Sequence, residues 1–484
     1  MAIKKYFASK DATISNTFKN DLTYRATGSN CGLSDSLQLF RIYGQASTSS
    51  SELARTLMEF PISTISSDRT NGTIPISGSV NFYLCLYNAE HPFSLPRNFY
   101  VCVSAITSST WNEGNGVDDD EWEDDGSVNW EYATDTVSWD NDGSDYFTGS
   151  YVKSSTMPSY TSSLFEGGDE NLELDITSMV EEWISGQKNY GLCLYLHNSQ
   201  ETALSSSYVK KFFSRSSEYF FKRPTIQARW NNVVNDDRGS FYVSSSLCDT
   251  ENVNTIYLYN RIRGTLKTIP TLTGSNIYVK IYDDLVSGSL VSSTVFTGGL
   301  TNTTGIYSAS VTLSTTSSIV YDRWYKNTIP GDLAICLSTG SIKVKTFESL
   351  KDAEEPHYII TMPNLKNSYK KIENPRLKVF VKDKNLKFNI YSVVNADTEY
   401  SVIKNLYYRI RRTIDKLIVI DYGTGSMSET KISYNVSGSY FDFDMSNLCE
   451  DYAYEFNYIY KRPDNTTYEE MPYVFKFRVD KQKN

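Results

Sequence analysis

Along most of this chain apolar residues recur at every second position, in short stretches separated by turn-forming residues. Residues 11–18, 36–42, 53–62, 80–87 and 99–105 all carry this alternation. A period of two sends successive side chains to opposite faces of a strand, so the pattern predicts sheets. One stretch, 172–196, changes period. Ile176, Met179, Val180, Trp183 and Ile184 share one helical face. Asp175 is placed to cap the first turn and Gly186 to end the last. Leu192, Leu194 and Leu196 then alternate again. The spacing predicts strand, helix, strand, with Thr177, Ser178, Glu181 and Glu182 facing outward, and it is the one convincing helical pattern in the chain. A helix this short is marginal alone in water. It must lie on a sheet, and the simplest arrangement has it plug one end of a β-sandwich.

The alternation also divides the chain. Polar stretches at 231–239 and 363–374 read as linkers between three units, 1–232, 240–362 and 366–484. In the second unit, strands are expected at 240–245, 255–259, 276–282, 291–297, 306–312, 331–337 and 341–346. Turns are expected at Gly274-Ser275 and Gly298-Gly299. In the third unit, strands are expected at 377–381, 385–393, 405–412, 416–421, 430–435, 440–444, 453–461 and 473–479. About seven short strands at this spacing fit an immunoglobulin-like sandwich. The order Cys248, Trp324, Cys336 does not match immunoglobulin domains, where Trp follows soon after the first Cys, so the topology is expected without the disulfide. The alternating aromatics of YAYEFNYIY, from Tyr452 to Tyr460, suit core and cross-strand packing better than base stacking.

Composition supports an all-β protein with real cores. Hydrophobic residues are 40%, charged residues 21%, and there are 37 Tyr. Seven widely spaced cysteines with no CxxC point to buried free thiols and synthesis in a reducing cytoplasm. No signal peptide or membrane span is evident. The net charge of −10 is uneven. Residues 111–175 hold eighteen acids against Lys153 alone, a net of −17, and residues 366–416 hold thirteen bases against five acids, a net of +8. Two solvated faces are the plain explanation, and head-to-tail contact between copies or with a neighbour is the sharper one. The basic stretch is strand-like and interrupted by acids, which argues against nucleic acid as a partner.

Candidate chemistry is sparse. His91, His197 and His357 have no metal-ligand or triad spacing, no GxSxG elbow accompanies them, and there is no P-loop or GxGxxG before a helix. Asp118, Asp119, Asp120, Glu121, Glu123, Asp124 and Asp125 form the best candidate metal site, for calcium, because hard cations take several carboxylates. The plain alternative is a solvated, salt-screened loop. Paired carboxylates could also serve a glycosidase, but nothing fixes two of them at working separation. Trp111, Trp122, Trp130 and Trp139 near those acids could stack on sugars, although packing anchors are favoured.

The first unit holds, in order, Asp11-Ala12-Thr13-Ile14, Asn30 to Gly32 with Leu37-Gln38-Leu39, and Arg55 to Phe60. There follow Leu84 to Tyr87, Thr110-Trp111-Asn112-Glu113-Gly114, Asp175-Ile176-Thr177 with Val180 and Trp183, Asn189-Tyr190-Gly191, Phe213-Ser214-Arg215 and Arg223-Pro224. In this order the segments resemble the DNRLRE domain, a β-sandwich module of cell-surface and virion proteins. After Glu113 the chain departs from that pattern into the acidic run. Residues 320–325 (VYDRWY) and 440–448 (YFDFDMSNL) are similar to immunoglobulin-like segments of marine tailed-phage virion proteins. The resemblance implies a jelly-roll-like first sandwich, two immunoglobulin-like ones, and a non-enzymatic structural component of the virion in the head, neck or tail. It would act through contacts with other virion proteins and as a homo-oligomer, without cofactor unless calcium, and without membrane or nucleic-acid partners. The alternatives are an adhesin for a host glycan and, further off, a polysaccharide hydrolase.

Overall fold

The computed structural model describes residues 2–91, 97–118, 126–244, 253–270, 272, 276–326, 336–345, 357–384, 401–462 and 467–481. The protein is all-β, and the chain divides into two compact units, Ile3–Arg229 and Trp230–Asn484 with Met1–Ala2. None of its helices is long and apolar enough to cross a membrane, among the described residues.

In the first unit one sheet runs in the order Ile3–Phe7, Thr225–Arg229, Asn81–Leu86, Leu172–Asp175. The other runs Tyr208–Phe213, Ser36–Tyr43, Ser51–Glu59, Leu192–Leu196, Val101–Ala105, Ser159–Thr161, with Lys10–Ser15 added on Ser51–Glu59. Ala12, Ile14, Leu57, Phe82, Leu84, Val103 and Ile226 are buried, as the alternation requires. Helix α2 (Thr177–Ile184) buries Met179, Val180 and Trp183. Its N-cap is Ile176, so Asp175 is not the cap; its carboxylate instead accepts from the Thr177 N–H at 2.9 Å, one residue outside the helix.

Two expectations about this region need correction. Glu182 does not face outward: it is 3% exposed, and its carboxylate accepts from the Tyr151 hydroxyl at 2.8 Å and the Ser154 N–H at 2.9 Å. The segment 145–160 folds over the helix face that periodicity alone assigns to solvent. Nor is α2 the one helix. Ile62–Thr70 forms α1 and Asn198–Glu201 forms α3. Strand Ser51–Glu59 stops before Pro61, and Ile62 and Ile65 bury one side of α1. Arg69 at its end makes a bidentate pair with Glu181 of α2, at 2.6 and 2.7 Å.

In the second unit, residues 241–345 form one seven-stranded sheet. Its order is Phe241–Tyr242, Cys336–Lys345, Ile319–Tyr325, Asn276–Tyr282, Phe296–Leu300, Ile306–Val311, Asn254–Tyr259. The sheet rolls around Phe241, Ile256, Ile277, Val279, Ile281, Tyr307, Trp324 and Ile342. The buried Asn254 side chain closes the roll, accepting from Tyr242 N at 3.0 Å and donating to Tyr242 O at 2.9 Å. Gly298 and Gly299 lie inside a strand and not in a turn. A Cβ on Gly298 would meet the Ser308 carbonyl oxygen at 2.3 Å, so the neighbouring strand can approach only because that atom is missing.

Residues 357–481 form a two-sheet sandwich. Tyr358–Thr361, Arg376–Asp383, Gly438–Asp442 and Ser433–Asn435 make one sheet. Ser368–Lys370, Phe475–Asp480, Tyr452–Lys461, Leu406–Arg412 and Ile418–Ile420 make the other, with Tyr468–Glu470 beside Tyr452–Lys461. Taken in chain order this is the immunoglobulin arrangement, ABED against A′GFCC′. The Tyr454 hydroxyl, at the start of the F strand, donates to Cys449 O at 2.9 Å and accepts from Cys449 N at 3.0 Å, the corner tyrosine of such folds. No disulfide joins the sheets here. Phe456 stacks on Phe477 at 4.8 Å, and Tyr408 on Phe441 at 4.4 Å. The expected linker at 363–374 belongs to this sandwich: Ser368–Lys370 pairs parallel with Phe475–Asp480 and Tyr369 is buried. Tyr358–Thr361, expected to end the preceding unit, pairs with Arg376–Asp383. The expected strand at 385–393 lies outside the described residues.

Candidate functional site

Asp11, Asn30, Glu113 and Arg215, from four separate segments of the first unit, meet in one polar framework. Arg215 forks onto Glu113, with Nε to Oε1 at 2.5 Å and Nη2 on Oε2. Glu113 Oε1 also accepts from Asp11 N at 2.8 Å, and Asp11 Oδ2 accepts from Arg215 N at 2.6 Å. Asn30 ties the loop down, donating to the carbonyls of Glu113 and Val128 at 2.8 Å each and accepting from Gly32 N and Gly116 N. Gly114 sits at φ +78, and a Cβ there would meet Asn30 Oδ1 at 2.4 Å. Burial pushes the Asp11 carboxyl up to about 7, against the hydrogen bond from Arg215 N. The arrangement shapes the W-x-E loop; its acid is spent on Arg215 and on backbone.

Of the expected metal ligands only Asp118 lies among the described residues; Asp119, Asp120, Glu121, Asp124 and Asp125 lie outside them, as does Trp122. Among the described residues no group of three His, Cys, Asp or Glu could hold a metal ion. The other three tryptophans are not a sugar platform. Trp111, Trp130 and Trp139 are 0%, 5% and 4% exposed and pack together with Ile14, Leu57 and Val128. Trp111 Nε1 donates to Tyr190 O at 3.0 Å, Trp139 Nε1 to Asn129 O at 3.1 Å, and Arg55 lies 5.3 Å from the Trp130 ring while forking onto Glu201. Short indole-to-backbone bonds and full burial make them core anchors. The histidines stand apart: His91 Nε2 contacts Gly168 O at 2.9 Å, and His197 caps α3 through Ser199 N.

Two buried charged sites were not anticipated. Lys210, fully buried, is caged by Asn88 Oδ1 at 2.7 Å, Gly168 O at 2.9 Å and Glu170 O at 2.7 Å, between the rings of Phe165 and Phe212. Burial lowers its ammonium to about 8. An inward lysine in an alternating strand (YVKKFF) is the only sequence signal for it.

The second site is the stretch expected to be an exposed linker, 231–239. It is instead a clasp inside the Trp230–Asn484 unit. Val234 N donates to Ser433 Oγ at 3.1 Å, Tyr434 N to Val234 O at 2.9 Å, and Asp236 N to Tyr434 O at 3.0 Å. Thus the segment pairs with the immunoglobulin-like sandwich of residues 357–481. A 3₁₀ turn at Asp237–Gly239 then joins the rolled sheet. Asp237 accepts from the Tyr434 hydroxyl at 2.8 Å with one oxygen and from Thr255 N at 2.7 Å with the other. Arg238 forks onto the fully buried Asp322 at 2.6 Å for both bonds, and Trp324 Nε1 donates to the same carboxylate at 2.5 Å. Asp236, 5% exposed, shares the same guanidinium only at 3.7 Å. Burial therefore wins and raises its carboxyl to about 7, with Asp322 and Asp237 adding to the rise and Arg238 opposing it.

No protein-family model matches the chain, and no curated protein matches it. Among solved structures it is similar to a marsupial T cell receptor at 8% identity, over 50% of this chain and 70% of that one, with a TM-score of 0.16. That likeness is too slight to carry an argument.

Proposed function

We propose that this is a structural, non-enzymatic component of a tailed-phage virion that works as a stiff spacer built through protein–protein contacts. The observation that carries the mechanical part is the clasp at 231–239. The Asp237 and Arg238 side chains and the backbone at Val234 and Asp236 are spent on bonds to the rolled sheet and the immunoglobulin-like sandwich of the second unit, so the stretch is no free hinge. A flexible connector would leave such groups to water. What supports the virion part is the resemblance of most of residues 1–230 to the DNRLRE domain, four of whose matching segments supply the Asp11, Asn30, Glu113 and Arg215 framework. Mass spectrometry of purified particles, with antibody-labelled electron microscopy, tests the reading. The chain should be present in stoichiometric amount at one fixed location. Its absence from particles, or turnover of host polysaccharide that one carboxylate substitution abolishes, would reject it.

A further inference from the structure

We propose that a cavity inside the Trp230–Asn484 unit binds an anionic sugar residue, one acid group on a hydroxylated ring. The cavity measures about 200 Å³ and is walled by the rolled sheet through Tyr259 and Arg261 and by the immunoglobulin-like sandwich through Lys431, Tyr440 and Phe441. A water takes up ~30 Å³ of liquid, and drug-sized pockets begin near ~300 Å³, so the space suits a single ring and not an oligomer.

The charges along the wall do not balance once the engaged groups are set aside. Arg376 forks onto Asp442 at 2.7 and 2.8 Å and lies 4.4 Å from the Tyr440 ring, so that pair is closed. Glu429 is held by an interaction of its own. Two cations remain. Lys431 Nζ donates to Asn405 Oδ1 at 2.8 Å, and Arg261 Nη1 to Gly264 O at 3.1 Å. Among the described residues neither has a carboxylate partner. Lys431 is half-buried, and burial with nearby Lys404 disfavours its charge. An anion beside Lys431 relieves that penalty, with Arg261 as the second cation of the wall and Glu429 as the one opposing charge outside the Arg376–Asp442 pair. The hydroxylated ring is argued from the remaining wall, where Asn232, Thr303 and Ser433 supply polar groups and Leu266, Ile306 and Phe441 supply apolar surface between them. Alternating hydroxyl and apolar contacts suit a sugar better than a bare inorganic ion.

This inference stands on the cavity and is independent of the virion reading. The test is titration of the full chain, by calorimetry and ligand-observed NMR, with glucuronate, glucose and inorganic sulfate. Saturable binding of glucuronate is expected, weakened by salt, with glucose and sulfate each at least about tenfold weaker. Arg261→Ala, on an exposed hairpin, and Lys431→Met should each weaken glucuronate by about tenfold or more at an unchanged melting temperature. No saturable glucuronate binding, or binding unaffected by both substitutions, would overturn the site. Sulfate or glucose binding as tightly as glucuronate would overturn the ligand class.

Discussion

Asp236 and Asp322 compete for a single guanidinium, and Asp322 holds both of its short bonds. The consequence is a pH dependence with a definite sign. Burial raises the Asp236 carboxyl from the ordinary 3.8 of an unfolded chain to about 7 in the folded one. The folded state therefore binds the proton more tightly, and this group's contribution to stability falls as pH rises through that window. Thermal melts of the full chain at pH 5 and pH 8 should differ less for Asp236→Asn than for the parent. An unchanged difference would show that Asp236 is not proton-linked. Removing the shared partner is harsher. Arg238→Ala leaves two buried carboxylates unpaired, a loss of ~3–5 kcal/mol, while Arg238→Ala with Asp322→Asn should recover part of it. Urea melts of the Trp230–Asn484 transition decide this. If the single variant unfolds at the parental midpoint, the clasp is not holding the unit.

At the scale of elements, α2 illustrates what was readable from sequence and what was not. Its apolar face was legible, because Met179, Val180 and Trp183 recur with the helical period and are buried. Its polar face was misread, because periodicity cannot show that residues 145–160 return over Glu182. Helix α1 was illegible: ISTISSDRT has no amphipathic stripe, and tertiary contacts through Ile62, Ile65 and the Arg69–Glu181 pair set its conformation. Most strands stand where the alternation placed them. The Gly298-Gly299 pair, read as a turn, is a close approach between strands. The same reasoning yields a prediction for α2. Trp183→Ala should cost ~3–5 kcal/mol, much of a typical domain's net stability of ~5–15 kcal/mol. Glu182→Ala should destabilise as well; leaving the Tyr151 hydroxyl and Ser154 N–H without their acceptor costs ~1–3 kcal/mol. Melts of the two variants should rank them in that order, both below the parent. A parental melting temperature for Glu182→Ala would contradict the burial.

For the molecule as a whole, composition cannot tell a solvated polar stretch from one whose polar groups are buried and paired. Residues 231–239 and 363–374 look alike as sequence, yet the first is the clasp and part of the second is a buried strand edge. Trp111, Trp130 and Trp139 pose the converse problem: their neighbours in sequence include many acids, but their neighbours in space are Ile14, Leu57 and Val128. Limited proteolysis separates the two pictures. Residues 231–239 should resist cleavage that removes other parts of the chain, because a protease needs a local opening that these bonds oppose. A first cut within 231–239 would restore the linker reading.

The rolled sheet and the sandwich of the second unit share one further trait: near the start of each lies a strand parallel to its last, Phe241–Tyr242 beside Cys336–Lys345 and Ser368–Lys370 beside Phe475–Asp480. When such a sandwich is pulled by its two ends, the paired strands slide past one another lengthwise. All the bonds of the pair are strained at once, in shear. An antiparallel terminal pair would instead peel open one bond at a time. Forced unfolding reports the height of the unfolding barrier and not equilibrium stability. Stretched in a single-molecule force experiment, the sandwich of residues 357–481 should rupture at a higher force than a variant with proline at Tyr369, which disrupts the parallel register. Equal rupture forces would mean that tension is borne elsewhere.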